Sequence, residues 1–426
     1  MIAEKTHPGL DKKVKDSVDC LLGHIRKNEG MGYDPYDCRV GKMYEFFGQT
    51  RKTLKGKVTR LFLYGIEFFA PVTFRKIRGI PRTYDPMGNS YWAGAQMAMY
   101  LADNDQSRLD EARKVLDKVV TKSVGDPGKR GFALGFPCVT GSGILWRTDV
   151  PVSHYTLRVV RKLMIWERVV GDGRYQAVID EAMKFLTEVL EYVEVDGMLG
   201  VAYTPADPLQ VVNIWADVAS ILACYSVGRK DDIYKDMAIG LARSVVKHHL
   251  PDGTWPYFAK WSKKPFSIDN SHTAMVLGAL ADVAICYPDE VGAEIRPVLE
   301  SGTAKWLELF YNEETGQHWM EPHKHHVCFS VSVGDALYAI HRLVRPELGL
   351  SEGLMKRLET ARERLINWSI KVLPNFDGRW CVRKYPMKRY SVGGVRSFDG
   401  LTADGLAITY AESRLPRDSV SKLWTI

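Results

Sequence analysis

The sequence lacks the cysteine pattern of a disulfide-bonded or zinc-bound protein. Its seven cysteines stand singly along 426 residues, with an odd total and no CxxC pair. This spacing indicates neither a zinc knuckle nor a disulfide framework. A reducing compartment, the cytoplasm, is therefore the expected location.

Long apolar runs, targeting signals and several catalytic motifs are also missing. No run of about 18 apolar residues occurs, which argues against a spanning helix, and the charged N-terminus shows no secretory signal. There is no P-loop, no GxGxxG in a βαβ context and no GxSxG elbow, which weakens nucleotide-dependent and serine-hydrolase functions. The His323-Lys-His-His326 run matches no established ligand spacing, so we expect no metal and no cofactor. We expect no nucleic-acid partner either.

Aromatic residues are abundant, and positive charge is concentrated in one segment. The chain has 11 Trp and 20 Tyr, and aromatic platforms are common where sugars bind. Nine basic residues and the single acid Glu67 lie between Arg51 and Arg82, so this segment accounts for the net charge of +7. It encloses the apolar stretch 61–74. Two interpretations stay open: a segment that contacts an anionic membrane surface, or one that covers an end of the fold with solvated charges.

A repeat of about 60 residues runs through the chain. Gly-centred turns with aromatic neighbours recur at spacings of 66, 56, 63 and 62 residues, at Gly131, Gly197, Gly253, Gly316 and Gly378. Apolar helices rich in small residues are predicted to begin near residues 88, 152, 210, 270, 330 and 399. Helices with a polar face are predicted to begin near residues 8, 106, 174, 231, 292 and 351.

Six inner and six outer helices predict an all-α fold, an (α/α)6 toroid of six helical hairpins with aromatic-rich loops at one rim. Closure buries each hairpin against two neighbours without capping repeats. Residues 1–83 are predicted to form an N-terminal helix and a basic apolar segment that pack on the toroid of residues 84–426, all in one domain. The loops that enter the inner helices converge at the rim, where we expect the site.

The rim loops carry acids, histidines, tyrosines and cations, which suit a polyhydroxylated and anionic ligand. The catalytic candidates are Tyr257, His272, Asp269, His154 and Tyr155. The substrate-binding candidates are Arg147, Trp146, Tyr203, Trp255, Asn270, Glu321, Arg383 and Tyr385. For the stretch 252–280, a second interpretation is equally open: its rings fill the core, and Asp269 or Asn270 caps the following helix.

Several short blocks resemble one family of helical-toroid proteins. They are Gly131–Pro137, Trp146–Thr148, Pro151–Tyr155, Gly171–Tyr175, Ala202–Pro205, Asp252–Trp255 and Ile268–Thr273. Together they resemble the vibrio-polysaccharide protein J type of capsule and exopolysaccharide loci, over residues 84–345, with Ser271 where that family has an aromatic residue. The architecture is more distantly similar to glucuronyl C5-epimerases, unsaturated glucuronyl hydrolases, polysaccharide lyases and terpene-cyclase toroids. The resemblance implies polysaccharide biosynthesis or modification.

Three functions follow as hypotheses. The first is an enzyme acting on a uronate-containing or otherwise anionic glycan. Proton abstraction, as in an epimerase or lyase, would use the tyrosines and histidines, with Arg147, Asn270 and Arg383 holding the carboxylate. Glycoside hydrolysis would instead use two carboxylates, from Asp269, Asp149 and Glu321. The second is a non-catalytic glycan- or lipid-binding component of a synthesis complex at the inner face of the membrane, docked through residues 51–82. The third is an isoprenoid cyclase-like toroid, which the missing DxDD-type centre disfavours.

Overall fold

The structure is a computed structural model that describes residues 8–37, 54–139, 145–262, 266–374, 380–385, 388–391 and 397–416. Most of these residues are helical. In chain order the α-helices are α1 (Pro8–Lys27), α2 (Leu54–Phe69), α3 (Pro71–Ile77), α4 (Pro86–Asp103), α5 (Gln106–Val120), α6 (Ser153–Val169), α7 (Gln176–Lys184), α8 (Val212–Arg229), α9 (Lys235–His248), α10 (Asn270–Cys286), α11 (Ala293–Phe310), α12 (Ser330–Leu343), α13 (Glu352–Val372) and α14 (Ser397–Arg414). The repeat turn predicted at Gly378 lies outside the described residues, as do Arg51 and Lys52 of the basic segment.

Short antiparallel strands occupy connections between helices. They are β1 (Met31–Gly32), β2 (Thr83–Tyr84), β3 (Ser123–Val124), β4 (Gly131–Phe132), β5 (Cys138–Val139), β6 (Leu145–Trp146), β7 (Tyr192–Val195), β8 (Met198–Thr204), β9 (Asp207–Gln210), β10 (Cys328–Phe329), β11 (Arg383–Lys384) and β12 (Arg389–Tyr390). The β7–β8 hairpin sets Tyr192 opposite Val201 and turns at Asp196-Gly197, where both residues have positive φ. An Asp-Gly pair is favoured there because a tight hairpin turn needs positive φ at its central residues.

Six helices form an inner ring, and six others surround it. Around the ring, α4 contacts α6, and the contacts continue through α8, α10, α12 and α14 back to α4. The outer helices α5, α7, α9, α11 and α13 each pack on the inner helix that precedes them in the chain, and α1 packs on α14. The inner helices begin within two residues of the predicted positions, so the predicted toroid is confirmed.

The space enclosed by the inner ring, here called the lumen, is crossed by buried ion pairs. Arg161 on α6 contacts Asp282 on α10 at 3.0 Å, and Arg342 on α12 contacts the other oxygen of Asp282 at 3.1 Å. Lys162 on α6 pairs with Asp404 on α14. Because α6 is not a ring neighbour of α10 or α14, these pairs span the lumen. They lie near the middle of α6 and α14 and toward the C-terminal ends of α10 and α12. We therefore look for a site at the end of the lumen where the inner helices begin.

The described strands all lie in connections that lead from an outer helix into an inner one. These connections gather where the inner helices begin, at the end of the lumen here called the mouth. The longest of them joins α1 to α4 and contains α2 and α3. Residues 54–82 of this connection are here called the cap segment. No helix among the described residues is both long and apolar enough to span a bilayer.

Glycine permits a very close helix contact where the ring closes. A Cβ atom on Gly400 of α14 would lie 2.2 Å from the carbonyl oxygen of Gly88 on α4. A Cβ atom on Gly94 of α4 would lie 2.6 Å from a carboxylate oxygen of Asp404. Real Cβ atoms do not come so close to other atoms, so a larger residue would push the two helices apart.

We predict that Gly400→Ala lowers the free energy of unfolding by about 1 to 3 kcal/mol, because the added methyl group overpacks the seam between α4 and α14. The matched control is Gly353→Ala on the outer helix α13, where a Cβ atom would meet nothing within 4 Å. This control should leave stability unchanged or slightly raised, since alanine is the better helix former. Denaturant unfolding followed by circular dichroism measures both variants. Equal stability of the two would contradict the tight seam.

Candidate functional site

The mouth collects the N-termini of six inner helices. The first turns of an α-helix carry unpaired N–H groups and a partial positive charge. Converging N-termini therefore favour a ligand with negative charge. The polar side chains at the mouth come from the same first turns and from the connections that lead into them.

His272 and Asp269 form a hydrogen-bonded pair at the start of α10. Asp269 is the N-cap residue, and its Oδ1 accepts the backbone N–H of His272 at 2.9 Å. Its Oδ2 lies 2.6 Å from Nδ1 of His272, and the Tyr257 ring meets the imidazole edge to face at 4.4 Å. One carboxylate thus begins the helix and orients the imidazole, which leaves Nε2 for another partner.

The charge of Asp269 sets the protonation of His272. Burial lowers the pKa of His272, but the Asp269 carboxylate, helped by Asp335 and Asp217, raises it above the usual value overall. His272 is only partly buried, with 28% of its side chain exposed. We therefore expect an accessible imidazole that holds its proton more firmly than a free histidine does.

His154 lies on another wall of the lumen, in the first turn of α6. Its Nδ1 is buried, with no hydrogen-bond partner among the described residues, while the residue as a whole is half-buried. Burial, followed by the positive charges of Arg158 and His272, lowers the pKa of His154 well below its usual value. Helix α8 stands between α6 and α10 in the ring. Two histidines with opposite proton affinities therefore face the lumen from different walls.

Buried charges lie one turn or more below these histidines. Arg158 on α6 pairs with Asp217 on α8 at 3.1 Å, and both are 5% exposed. Burial raises the pKa of Asp335 on α12 to about 6, although Arg158 lowers it. One oxygen of Asp335 has no hydrogen-bond partner among the described residues. The layer therefore holds an arginine–aspartate ion pair and, at Asp335, a carboxyl group that is protonated in mildly acidic solution.

Aromatic rings line another part of the mouth. Trp146 on β6 stacks on Tyr203 on β8, with ring centroids 4.8 Å apart and planes 25° from parallel. The indole Nε1 of Trp146 donates to Asp207 at 3.4 Å. Burial raises the pKa of Tyr203 well above its usual value, and nearby Tyr257 raises it further, so both tyrosines remain protonated donors.

Two predicted substrate-binding residues are used within the core. Trp255 is 3% exposed, and its Nε1 donates to the carbonyl of Val245 at 3.0 Å. Asn270 is fully buried; its amide donates to the carbonyl of Trp319, and its oxygen accepts from Trp306 at 2.8 Å. Both side chains lie in the core, in line with the second interpretation of residues 252–280, in which this stretch packs inside the fold. We leave both out of the site.

Other predicted residues lie at the outer edge of the mouth or inside the wall. Arg147 and Glu321 are exposed and pair with their near neighbours Asp149 and Lys324. Tyr155 is buried in the core. Arg383 is half-buried on β11, over the ring of Phe329, and Tyr385 packs against the cap segment. Of this group, only Arg383 is a half-buried cation near the mouth, so we keep it as a candidate for binding an anionic ligand.

The sequence prediction missed Arg158, Asp217 and Asp335. Each is a charged residue among the buried side chains of an inner helix. That pattern is a usable signal, because a charge is rarely buried without a partner or a function. The described residues contain no cluster of three or more His, Cys, Asp or Glu side chains arranged to hold a metal.

We predict that Asp269→Asn lowers the pKa of His272, because the amide keeps the N-cap hydrogen bond but removes the negative charge beside the imidazole. NMR titration of the protein with ¹⁵N-labelled histidine measures this pKa. The control Asp149→Asn removes an exposed charge at the outer edge and should leave the His272 titration unchanged. An unchanged pKa in Asp269→Asn would show that the pair does not control the proton.

Comparisons with known proteins address the fold. No protein-family model matches the chain, and no curated protein matches it. Solved structures do match. A polysaccharide lyase aligns over 95% of this chain and 97% of its own, with a TM-score of 0.57 and 11% identity. An unsaturated glucuronyl hydrolase specific for heparin aligns over 95% and 97%, with a TM-score of 0.59 and 12% identity.

Cellobiose 2-epimerase from Bacillus thermoamylovorans B4167 is also similar, over 76% of this chain and 88% of its own, with a TM-score of 0.60 and 10% identity. These likenesses establish the toroid fold. They also agree with the coarser part of the sequence resemblance, which is to toroid proteins named as a lyase, an epimerase and a hydrolase. At such identities the likeness extends to the fold alone, and activity is a separate question.

Proposed function

We propose that the protein is an enzyme of polysaccharide biosynthesis or modification that moves a proton on a sugar ring of an anionic glycan, as a uronate C5-epimerase or a lyase. The observation that carries the proposal is the pair of histidines on different walls of the mouth. The environment lowers the pKa of His154 and raises the pKa of His272, which favours the neutral form of the first and the protonated form of the second. Groups whose pKa values are pushed apart in this way are suited to act as base and acid.

The chemistry follows from these protonation states. Neutral His154 takes the proton from C5, the carbon next to the uronate carboxylate, and the electron pair moves into an enolate-like system. In an epimerase, His272 returns a proton to the opposite face of C5. In a lyase, the bond from C4 to the glycosidic oxygen breaks, a C4–C5 double bond forms, and His272 protonates the departing oxygen. Tyr257 stays protonated and can donate a hydrogen bond beside His272.

Positive charge at the mouth supports an anionic substrate. The inner-helix N-termini favour a carboxylate, and half-buried Arg383 supplies a cation that can bind it through two hydrogen bonds. The stacked pair Trp146 and Tyr203 offers a flat surface for a neighbouring sugar ring. The resemblance to the vibrio-polysaccharide protein J type supports a biosynthetic context, and the single, widely spaced cysteines of the sequence support a cytoplasmic location.

We predict that the wild-type protein incorporates deuterium at C5 of a uronate oligosaccharide in D₂O, or forms an unsaturated uronate. His154→Gln and His272→Gln should each slow this reaction about 10²- to 10⁴-fold, since each removes one proton carrier. Mass spectrometry measures the deuterium, and ultraviolet absorbance measures the double bond. His323→Gln, an exposed histidine in the connection before α12, is the matched control and should retain full activity.

The outcomes separate the competing functions. Full activity in both histidine variants would rule out the proposed acid and base. If the wild type binds the oligosaccharide but catalyses no exchange, elimination or cleavage, the non-catalytic binding function is correct instead.

The proposed roles also fix the pH dependence. Activity should fall as pH rises through the raised pKa of His272, because the acid loses its proton. On the acidic side it should persist well below the usual histidine range, because the pKa of His154 is lowered. In Asp269→Asn, the alkaline limb of kcat/KM should shift to lower pH. If kcat/KM of this variant falls at the same alkaline pH as in the wild type, a group other than His272 causes that fall.

Glycoside hydrolysis is a second candidate, and the carboxyl groups of the lumen favour it. Asp335, with its pKa raised to about 6, can serve as an acid, and Asp217 lies 3.1 Å from Arg158 in an ion pair. The sequence offered Asp269, Asp149 and Glu321 for this role, but the side chains of Asp149 and Glu321 are exposed. Asp335 and Asp217 are the buried alternatives. New reducing ends that disappear in Asp335→Asn, with no deuterium at C5, would establish hydrolysis.

A further inference from the structure

The cap segment presents an apolar helix face to solvent. Five large side chains of α2 are between 59% and 79% exposed: Leu54, Val58, Leu61, Phe62 and Phe69. At 100° per residue these positions share one side of the helix. Ile77 on α3 is 80% exposed as well. An apolar surface of this extent on a soluble protein marks a contact site.

Two residues of α2 outside this exposed set, Glu67 and Phe68, anchor the helix, so the apolar face is held outward. Phe68 packs edge to face on Tyr385 at 5.0 Å, and Glu67 accepts a hydrogen bond from the Tyr390 hydroxyl at 2.7 Å. Arg75 of α3, fully buried, contacts both Glu67 and Asp37. Burying these polar groups has a cost that the paired contacts offset. The orientation of α2 is therefore fixed by specific contacts.

The charge around this face is of one sign. The ammonium group of Lys388, next to β12, lies 4.9 Å from the centroid of the Phe69 ring. Lys76 and Arg82 of the cap segment are exposed. Apolar side chains with lysine and arginine at their borders suit a bilayer with anionic headgroups, where the apolar groups enter the lipid and the cations meet the phosphates. A protein partner would more often present a mixed set of charges at its rim.

The apolar face belongs to the connection that enters α4, and the mouth lies at that end of the toroid. We infer that α2 lies in the surface of an anionic bilayer and holds the mouth of the toroid beside it. The glycan substrate is then one that the membrane presents, a lipid-linked saccharide. This last step rests on the proposed function, whereas the docking itself does not.

The docking is tested by co-sedimentation of the full chain with vesicles of phosphatidylcholine alone or with phosphatidylglycerol. The wild type should sediment with the anionic vesicles, and this binding should weaken as the salt concentration rises. With the neutral vesicles the protein should stay in the supernatant. The double variant Leu61→Glu, Phe62→Glu should lower the partition coefficient at least roughly tenfold, since two apolar side chains no longer enter the lipid.

The matched control is Ile233→Glu, a residue 66% exposed between α8 and α9 at the other end of the toroid. It should bind vesicles as the wild type does. Circular dichroism and thermal unfolding check that all variants are folded. Equal vesicle binding by the double variant and the wild type, or no binding by the wild type, would overturn the inference. So would a wild-type dimer that the double variant abolishes, because a second copy of the chain would then cover this face.

Activity separates the docking from the proposed function. Exchange at C5 of a soluble uronate oligosaccharide should be the same in the double variant as in the wild type, because α2 does not touch the histidines. Loss of vesicle binding with normal exchange supports the docking role. Vesicle binding by a wild type that catalyses no exchange would leave the docking standing while the proposed reaction fails. If the folded double variant loses exchange at C5, α2 also takes part in catalysis, and the inference that it serves only in docking is wrong.

Discussion

Closure of the inner ring is the constraint on which the rest of the structure depends. The contact between α4 and α14 joins the first inner helix to the last, across about 300 residues of sequence, and Gly400 permits it by carrying no Cβ against the Gly88 carbonyl. Helix α1 then covers α14 as its outer partner. Once the ring is closed, every entering connection lies at one end. Loops about 60 residues apart in sequence therefore become neighbours.

The closed ring also explains how so much charge is buried. A salt bridge in the interior stabilises little by itself, since desolvation offsets much of the attraction, but removing one partner is costly. Here Arg161, Asp282 and Arg342 connect three inner helices and fill the centre of the ring. This layer gives the lumen a floor. Above this layer, burial lowers the pKa of His154, whereas the Asp269 carboxylate outweighs burial and raises the pKa of His272.

The sequence predicted the architecture well because the repeat leaves a strong signal. Helix periodicity and the recurring glycine turns place each inner helix within two residues of its observed start, and the alternative of Asp269 as a cap is visible from its position. Side-chain direction is a different matter. Trp255 and Asn270 follow the same loop pattern as Tyr257 and His272, yet only the closed packing decides that the first two enter the core.

The buried charges of the lumen also show that side-chain direction cannot be read from the sequence alone. Arg158, Asp217 and Asp335 come from three separate inner helices, 59 and 118 residues apart, which is one and two periods of the repeat. This spacing puts them at a similar level of the ring, but it does not show which side of each helix faces inward. Only the curvature of the ring turns these helix faces toward a shared lumen. A charged residue inside an apolar helix signals importance, but its partner and the direction of its pKa shift depend on the assembled structure.

The central claim is that His154 and His272 contact the same ligand in the lumen. A crystal structure of the protein with a bound uronate oligosaccharide tests this most directly. It should show a sugar ring between His154 and His272, with its carboxylate toward the inner-helix N-termini. A ligand bound elsewhere, with the space between the two imidazoles filled by the protein's own side chains, would contradict the account.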